Sequence, residues 1–409
     1  MTRQQADEET PLLQEQLKKR TPIPWGQFTI VMFLQLTEPL TSQVIYPFAP
    51  QLIRDVGITN GDETQVGYYV GLMQSLFFLT QAFTVLHWSR MSDFIGRKPV
   101  LLVGLLGLSL SMYCFGLSKT FWGLVLSRCL NGALNGNIGV MKSIVIELTD
   151  PTNIARAYAY QPIAWSTGGT LGPLIGGSLA RPAERFPKLF GNNEFLKNYP
   201  YFLPCAVPAT YAAVAWLITW LFLKETLKSP TSISHLFKFR RDQVTLPAKG
   251  AGSQEPLDVQ GQDLHDEERP LPLRGLLTSR VLLAAGNYAS LSLVDIAFRA
   301  IQPLFLSTPV AFGGLGLSPP VIGKILSAYG ICNGAFQVFF FSRIHDHLGS
   351  KKTFVAGMAC VFPCFIAFPI INAMAKSQGV TTFVWVAVAF QALVSIGVNL
   401  SYGGNNEGM

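Results

Sequence analysis

The sequence predicts an all-α membrane protein built from two related halves. Only 13% of its 409 residues are charged, whereas soluble domains have roughly 25%. Uncharged stretches long enough to cross a bilayer recur along the chain. The pattern Ser-Arg-apolar-x-Asp-x-apolar-Gly-x-Lys occurs at 89–98 and again at 342–351. Because each copy lies between two long apolar runs, the repeat indicates two homologous helical halves.

Ten apolar segments are predicted to form membrane helices, six before a polar linker and four after it. Helices are expected because open strands would leave backbone groups unpaired in lipid. The predicted helices cover 26–50, 66–88, 99–118, 121–147, 157–180, 199–223, 281–306, 322–342, 353–375 and 379–402.

The polar segments divide the chain. We expect a cytosolic tail at 1–25, a six-helix bundle at 26–224, a cytosolic linker at 225–280, a four-helix bundle at 281–403 and a polar tail at 404–409. The linker's mixed charge, Gly and Pro favour a solvated tether over a regulatory domain.

The helix count of the second half is two short of its expected value. Asp93 and Asp346 lie 253 residues apart and each follows the second helix of its half. The second half should therefore also hold six helices, but only four are found. Membrane proteins built from two repeated helical halves are most often transporters, and a truncated product that does not transport is one interpretation of this difference.

The net charge of +7 is explained by membrane orientation rather than by nucleic-acid binding. The cations lie in loops between apolar runs, and their bias places the N-terminus in the cytosol. We find no zinc-type cysteine spacing and no phosphate-binding Gly-x-x-x-x-Gly-Lys-Ser/Thr loop. The sequence therefore predicts no metal site, no cofactor and no enzymatic activity, so an ion gradient would supply the energy.

The repeated turn is a candidate gate. Gly96 allows a sharp turn, and Asp93 can cap the next helix and pair with a cation. Arg97 and Lys98 would hold the turn at the anionic leaflet. Topology alone would explain the cations but not the recurring acid. The predicted gate residues are Ser89, Asp93, Gly96, Arg97, Lys98, Glu147, Arg156, Asp346, Gly349 and Lys351.

The fifth helix carries glycines at four-residue spacing, which lets a neighbouring helix approach closely. Pro173 removes a backbone hydrogen bond and should bend this helix. The packing motif consists of Gly168, Gly172, Pro173, Gly176 and Gly177.

Ionisable residues inside membrane helices are costly and mark functional sites. The candidates are Glu38, Arg128, Asp295 and Arg299. Glu38 or Asp295 is expected to carry a proton, because a carboxylate in a poorly hydrated cavity can exchange protons near neutral pH. Arg128 would be its counter-charge. Asp295 and Arg299, four residues apart, could instead form a static ion pair.

Four motifs resemble those of the major facilitator superfamily. The turn 89–98 resembles the family's loop 2–3 motif, with Ser89 where glycine is usual. Arg128 to Gly132 resembles its Arg-x-x-x-Gly pattern, and 168–177 resembles the Gly-x-x-x-Gly-Pro-x-x-Gly-Gly motif of drug:proton antiporters. Lys224-Glu225-Thr226-Leu227 is similar to the family's ending of helix six.

The resemblance extends to about Gly403 and is greatest to fungal and plant multidrug or zinc-induced-facilitator-like antiporters. It implies two helical bundles around a cavity lined by helices one, four and seven. It also implies secondary active, proton-coupled antiport of a small organic molecule by alternating access. We expect a monomer in the vacuolar or plasma membrane, with the substrate, protons and lipid as its partners.

Overall fold

The computed structural model describes residues 21–227 and 278–403, and all regular structure in these stretches is helical. This confirms the predicted all-α fold class. The N-terminal tail to residue 20, most of the predicted linker and the tail at 404–409 lie outside the described residues.

The first half contains long helices, several of them interrupted, and three short surface helices before its last member. Their bounds are α1 Trp25–Gln35, α2 Thr37–Gln43, α3 Ala49–Val56, α4 Glu63–Ile95, α5 Arg97–Leu117, α6 Phe121–Leu134, α7 Asn137–Leu148, α8 Ile154–Leu179, α9 Pro182–Arg185, α10 Pro187–Phe190, α11 Glu194–Asn198 and α12 Phe202–Phe222.

The second half begins with a long helix and ends with a short turn of helix. Its elements are α13 Ser279–Ser307, a 3₁₀ turn Val310–Phe312, α14 Pro319–Phe336, a π-helical segment Gln337–Phe341, α15 Ser342–Ala359, α16 Val361–Gln378, α17 Thr382–Val398 and α18 Leu400–Gly403.

Five described helical segments have both the length and the hydropathy needed to cross a membrane. They are Glu63–Ile95, Arg97–Leu117, Phe202–Phe222, Val281–Ser307 and Lys351–Gln378. The total of ten membrane spans stays a prediction. Large apolar side chains such as Phe83 and Leu86 on α4 point outward, with 71% and 62% of their surface exposed, as expected for helices that face lipid.

Three predicted helices differ from the structure: one ends later than predicted, and two are interrupted. The second helix does not end at residue 88 but continues to Ile95, so most of the repeated pattern is helical and only Gly96 makes the turn. The predicted spans 26–50 and 121–147 are both interrupted, the first after Gln35 and again after Gln43, the second after Leu134. Hydropathy does not report such breaks, because the residues that make them are mostly apolar or small.

One helix of the first half, α8, packs against helices of both halves. Within the first half its glycines face α2: a Cβ on Gly168 would lie 2.6 Å from Pro39, and one on Gly172 would lie 2.8 Å from Gln43. On the side of α8 that faces the second half, a Cβ on Gly177 would lie 2.9 Å from the Cα of Gly323 in α14. Only hydrogen in place of a side chain permits these approaches.

The contact between α8 and α14 also carries a hydrogen bond. Ser327 of α14 donates its hydroxyl to the backbone oxygen of Thr170, at 2.8 Å. Near the same level, a Cβ on Gly330 would lie 3.0 Å from the backbone of Gly169. The two halves therefore meet along a nearly side-chain-free seam, in which backbone contacts backbone.

We predict that Gly172→Ala destabilises the protein and that Gly169→Ala does not. The added methyl at 172 overlaps Gln43 of α2, whereas the Cβ position of Gly169 has no atom within 4 Å. Overpacking of this kind costs about 1–3 kcal/mol, while alanine in an open helical position is favourable by about 0.5–1 kcal/mol. Thermal unfolding of both variants in detergent micelles checks the difference. Equal midpoints would contradict the close packing of α8 on α2.

Candidate functional site

The first membrane segment breaks beside an acidic residue. Helix α1 ends at Gln35 and α2 begins at Thr37. Pro39 has no backbone N–H, so the carbonyl of Gln35 lacks its usual helical donor four residues on. Glu38 occupies the first turn of α2 and is partly exposed. The break therefore places a carboxylate and a released backbone carbonyl at one point of the membrane interior.

The fourth segment breaks as well, between Leu134 and Asn137. Gly136 packs so closely against Trp88 that no larger residue fits there. The indole nitrogen of Trp88 donates to the carbonyl oxygen of Ala133 at 2.7 Å, and Gln81 donates to the carbonyl of Asn135 at 3.5 Å. These side chains satisfy two carbonyls that the helical break releases.

The two breaks face each other. Glu38 lies near the side chains of Asn135 and Gln81 and within electrostatic range of the exposed Lys142 on α7. Several buried side-chain atoms nearby have no hydrogen-bond partner in the described part of the chain, including both polar atoms of Asn135 and the hydroxyl of Thr37. Buried polar groups normally have partners, so these atoms have unused hydrogen-bonding capacity.

Arg128 lies elsewhere in the same half, with only 1% of its surface exposed. It donates to Oε1 of Gln74 at 2.8 Å. Its guanidinium carbon lies 5.2 Å and 5.6 Å from the ring centres of Phe77 and Phe115. These rings solvate the cation through their π faces.

Asp295 and Arg299 form an ion pair on α13, with Nε of Arg299 2.9 Å from Oδ2 of Asp295. This is the pairing that the four-residue spacing suggested. Both residues lie within electrostatic range of Tyr329 on α14 and of Tyr46 from the first half. Tyr46 is also within range of Arg128 and packs into the apolar core of the second half.

A cleft between the halves lies beside Tyr46. It is lined by Tyr46, Gly71, Gln74, Ala300, Pro303 and Leu304. Near the Pro50 end of the cleft, Arg54 donates to the hydroxyl and the carbonyl oxygen of Ser307 at 3.0 Å and 3.2 Å. Glu63 holds Arg54 from the other side at 3.0 Å. This polar contact ties the two halves together at that end.

A second cluster supports the same end of the first half. Asp55 accepts from Arg181 at 3.1 Å and from the hydroxyl of Tyr201. Burial, with the neighbouring Asp55 carboxylate, raises the pKa of Tyr201 well above its ordinary value. The phenol therefore stays protonated and keeps donating.

The predicted gate residues lie at the other end of the first half, called the motif end here. Arg97 contacts Asp93 at 2.5 Å and Glu147 at 2.9 Å, and it donates to the hydroxyl of Ser92 at 2.6 Å. Glu147 also accepts from the hydroxyl of Thr226. The network thus connects α4, α5, α7 and the segment that follows α12.

The side chain that caps the N-terminus of α5 belongs to Glu225 and not to Asp93, which the sequence had predicted for this role. Glu225 accepts from the backbone nitrogens of Arg97 at 2.8 Å and Lys98 at 3.0 Å. It crosses over Gly96, whose φ of 116° and missing side chain make room for the carboxylate. Although the sequence assigned Glu225 to the linker, it is bound to the first half.

The other predicted gate residues are Arg156 and Ser89 in the first half and Gly349, Lys351 and Asp346 in the second. Arg156 is exposed and makes no contact with the network among the described side chains. Ser89 is connected to the Arg97 network through its backbone carbonyl oxygen, which accepts from the hydroxyl of Ser92 at 2.6 Å. In the second half Gly349 again has a positive φ, 73°, and Lys351 is exposed, while the side chain of Asp346 lies outside what the structure describes.

Sequence reasoning missed several residues of the site. Glu225 carried a signal, the family's ending of helix six, but its long-range contact could not be predicted. Gln74, Asn135 and Lys142 had no motif of their own. The only signal for Gln74 and Asn135 as site residues was a polar side chain within an otherwise apolar run.

Comparison with known proteins identifies the family. Residues 31–406 match the Major Facilitator Superfamily. The chain belongs to this superfamily. The superfamily consists of membrane transporters and not of enzymes. This match confirms the resemblance drawn from the motifs.

Three relatives illustrate the similarity. The major facilitator-type transporter psiT2 of Psilocybe cyanescens is 30% identical, over 87% of this chain and 68% of its own length. The major facilitator superfamily multidrug transporter mfsB of Aspergillus fumigatus is 28% identical, over 85% and 66%. Protein ZINC INDUCED FACILITATOR 1 of Arabidopsis thaliana is 30% identical, over 87% and 72%.

A solved structure shares the fold. The bacterial homologue of the human lysosomal transporter Spinster, in an inward-facing and unoccupied conformation, superimposes with a TM-score of 0.63. It is 15% identical, and the match covers 94% of this chain and 76% of that one. At this identity the likeness shows the arrangement of helices.

We predict that Glu225→Ala destabilises the motif end, whereas Lys224→Ala has little effect. The glutamate satisfies two free N–H groups of α5, and loss of a helix cap costs about 0.5–2 kcal/mol. The side chain of Lys224 is exposed, and only its backbone nitrogen is held, by Gln27 at 2.9 Å. Thermal unfolding in detergent compares the two variants. A Glu225→Ala midpoint equal to that of Lys224→Ala would contradict the capping role.

Proposed function

We propose that the protein is a proton-coupled secondary transporter that exchanges a small organic molecule for protons by alternating access. The cleft between the halves would be the substrate path, and Glu38 would carry the proton. Asp295 is the other candidate acid, but its ion pair with Arg299 favours a fixed role.

The observation that carries the proposal is the position of Glu38 between two broken helices. Transporters of repeated architecture build their sites from discontinuous helices near the membrane midplane. Glu38 lies in such a break and faces Asn135 beside a second one. It also lies among buried polar atoms that lack partners in the described residues. A carboxylate in this setting can gain and lose a proton as the cleft changes its access to water.

Alternating access is supported by the uneven contact between the halves. Arg54 and Ser307 close one end, and the glycine seam between α8 and α14 extends from that end toward the middle. Polar contacts such as Arg54 with Ser307 can break at little cost when water replaces them. At the motif end, the Arg97 network would keep the first half rigid while the halves rock about the seam.

The names of the relatives support the class of cargo. One is called a multidrug transporter and another an efflux pump, so a small organic molecule is the expected substrate. The distribution of cations along the chain supports a cytosolic N-terminus. A vacuolar or plasma membrane location and a monomeric state complete the proposal.

Glu38→Gln should abolish pH-driven exchange and leave insertion and folding intact. The amide keeps the size of the side chain but cannot bind and release the proton. The protein is reconstituted in vesicles with an acidic interior, and accumulation of a fluorescent cationic or neutral dye is followed. We expect at least a tenfold lower initial rate, equivalent to about 1.4 kcal/mol.

The matched control is Glu194→Gln, because Glu194 is exposed on the short helix α11 away from the cleft. It should transport like the wild type. Wild-type pH dependence in Glu38→Gln would remove Glu38 from the coupling. A correctly inserted wild-type chain that accumulates no dye would favour the interpretation that this product does not transport.

A further inference from the structure

One buried cation of the candidate site, Arg128, lacks a counter-ion among the described side chains. Asp295 is paired with Arg299. Arg128 forms no ion pair with any side chain that the structure describes. Arg128 is therefore a buried cation without a counter-ion among the described residues.

Arg128 is also short of hydrogen bonds. Its Nε is buried and has no partner in the described residues, and the same is true of Nε2 of Gln74 and Nδ2 of Asn131. A buried guanidinium with an unused donor is costly. Its aromatic neighbours Phe77 and Phe115 reduce that cost without supplying an acceptor.

One of these unused donors belongs to a residue that lines the cleft, and Arg128 lies directly behind that residue. Gln74, which accepts from Arg128, is itself part of the cleft wall, together with Tyr46. The rest of this wall is apolar or small, including Val70, Gly71 and Leu304. The cleft thus offers an apolar surface that ends at the amide of Gln74, with the cation of Arg128 hydrogen-bonded behind it.

We propose that the cleft binds an amphipathic organic acid, whose carboxylate pairs with Arg128 and Gln74 and whose apolar body lies along α4 and α13. The carboxylate would supply the acceptor that Nε of Arg128 and Nε2 of Gln74 lack, and it would neutralise Arg128. Guanidinium and carboxylate form the strongest hydrogen-bonded ion pairs in proteins. This proposal rests on the proposed transport function and specifies its substrate class.

The test uses two probes of the same shape, dansylglycine and its neutral amide dansylglycinamide. Binding is measured by fluorescence titration of the full chain in phosphatidylcholine nanodiscs. We expect the wild type to bind the acid at least about tenfold more tightly than the amide, since a charge-assisted pair is replaced by a neutral one.

The decisive variant is Gln74→Glu. Nε2 of Gln74 makes no hydrogen bond within the described chain, so the change removes no donor that is in use. The new carboxylate lies where Oε1 already accepts from Arg128 at 2.8 Å and becomes its internal counter-ion. The variant should fold and bind acid and amide equally. Gln378→Glu, exposed at the end of α16, adds the same charge elsewhere and should keep the wild-type preference.

Each outcome decides between the two proposals. A wild type that prefers neither probe or binds neither, or a Gln74→Glu variant that still prefers the acid, overturns the anion site. Glu38-dependent accumulation of cationic or neutral dye would in that case leave proton-coupled transport standing. Acid preference that disappears in Gln74→Glu, without pH-driven exchange of any probe, would support the binding site and overturn the transport function.

Discussion

The close approach of α8 to its neighbours is the constraint on which the rest of the structure depends. Glycines on one side of α8 let the backbone of α2 lie against it, and Gly177 with Gly323 brings α14 equally close on the other side. Because α2 carries Glu38, the same helix positions the candidate proton site and the contact between the halves. Any side chain larger than hydrogen at these positions would move both.

Broken helices give the first half its polar interior. A continuous helix satisfies its own backbone, so apolar side chains can cover it completely. The breaks after Gln35 and Leu134 instead release carbonyls and place Glu38 opposite Asn135. Trp88 and Gln81 bind two of those carbonyls, which limits the cost of the second break. The polar groups that remain unsatisfied in the described residues are available to water or to a ligand.

The motif end illustrates how a local pattern acquires a long-range partner. The glycine of the repeated turn is needed for its backbone conformation, and also because Glu225 passes over it to cap α5. Arg97 then joins Asp93 and Glu147, so three helices and the start of the linker form one rigid unit. Rigidity at this end would let the first half move as a body about the seam with α14.

The sequence by itself determined the fold class, the family and the chemical nature of the candidate groups. Long uncharged runs admit only helices in lipid, and the motifs carry the family resemblance. It also determined which intramembrane residues are ionisable, because hydropathy makes Glu38 and Arg128 stand out. Only the tertiary structure decided which of them are paired, where the helices break and which acid caps α5. Those outcomes depend on contacts between residues far apart in the chain, such as Glu225 with Arg97 and Gln74 with Arg128, which local periodicity does not encode.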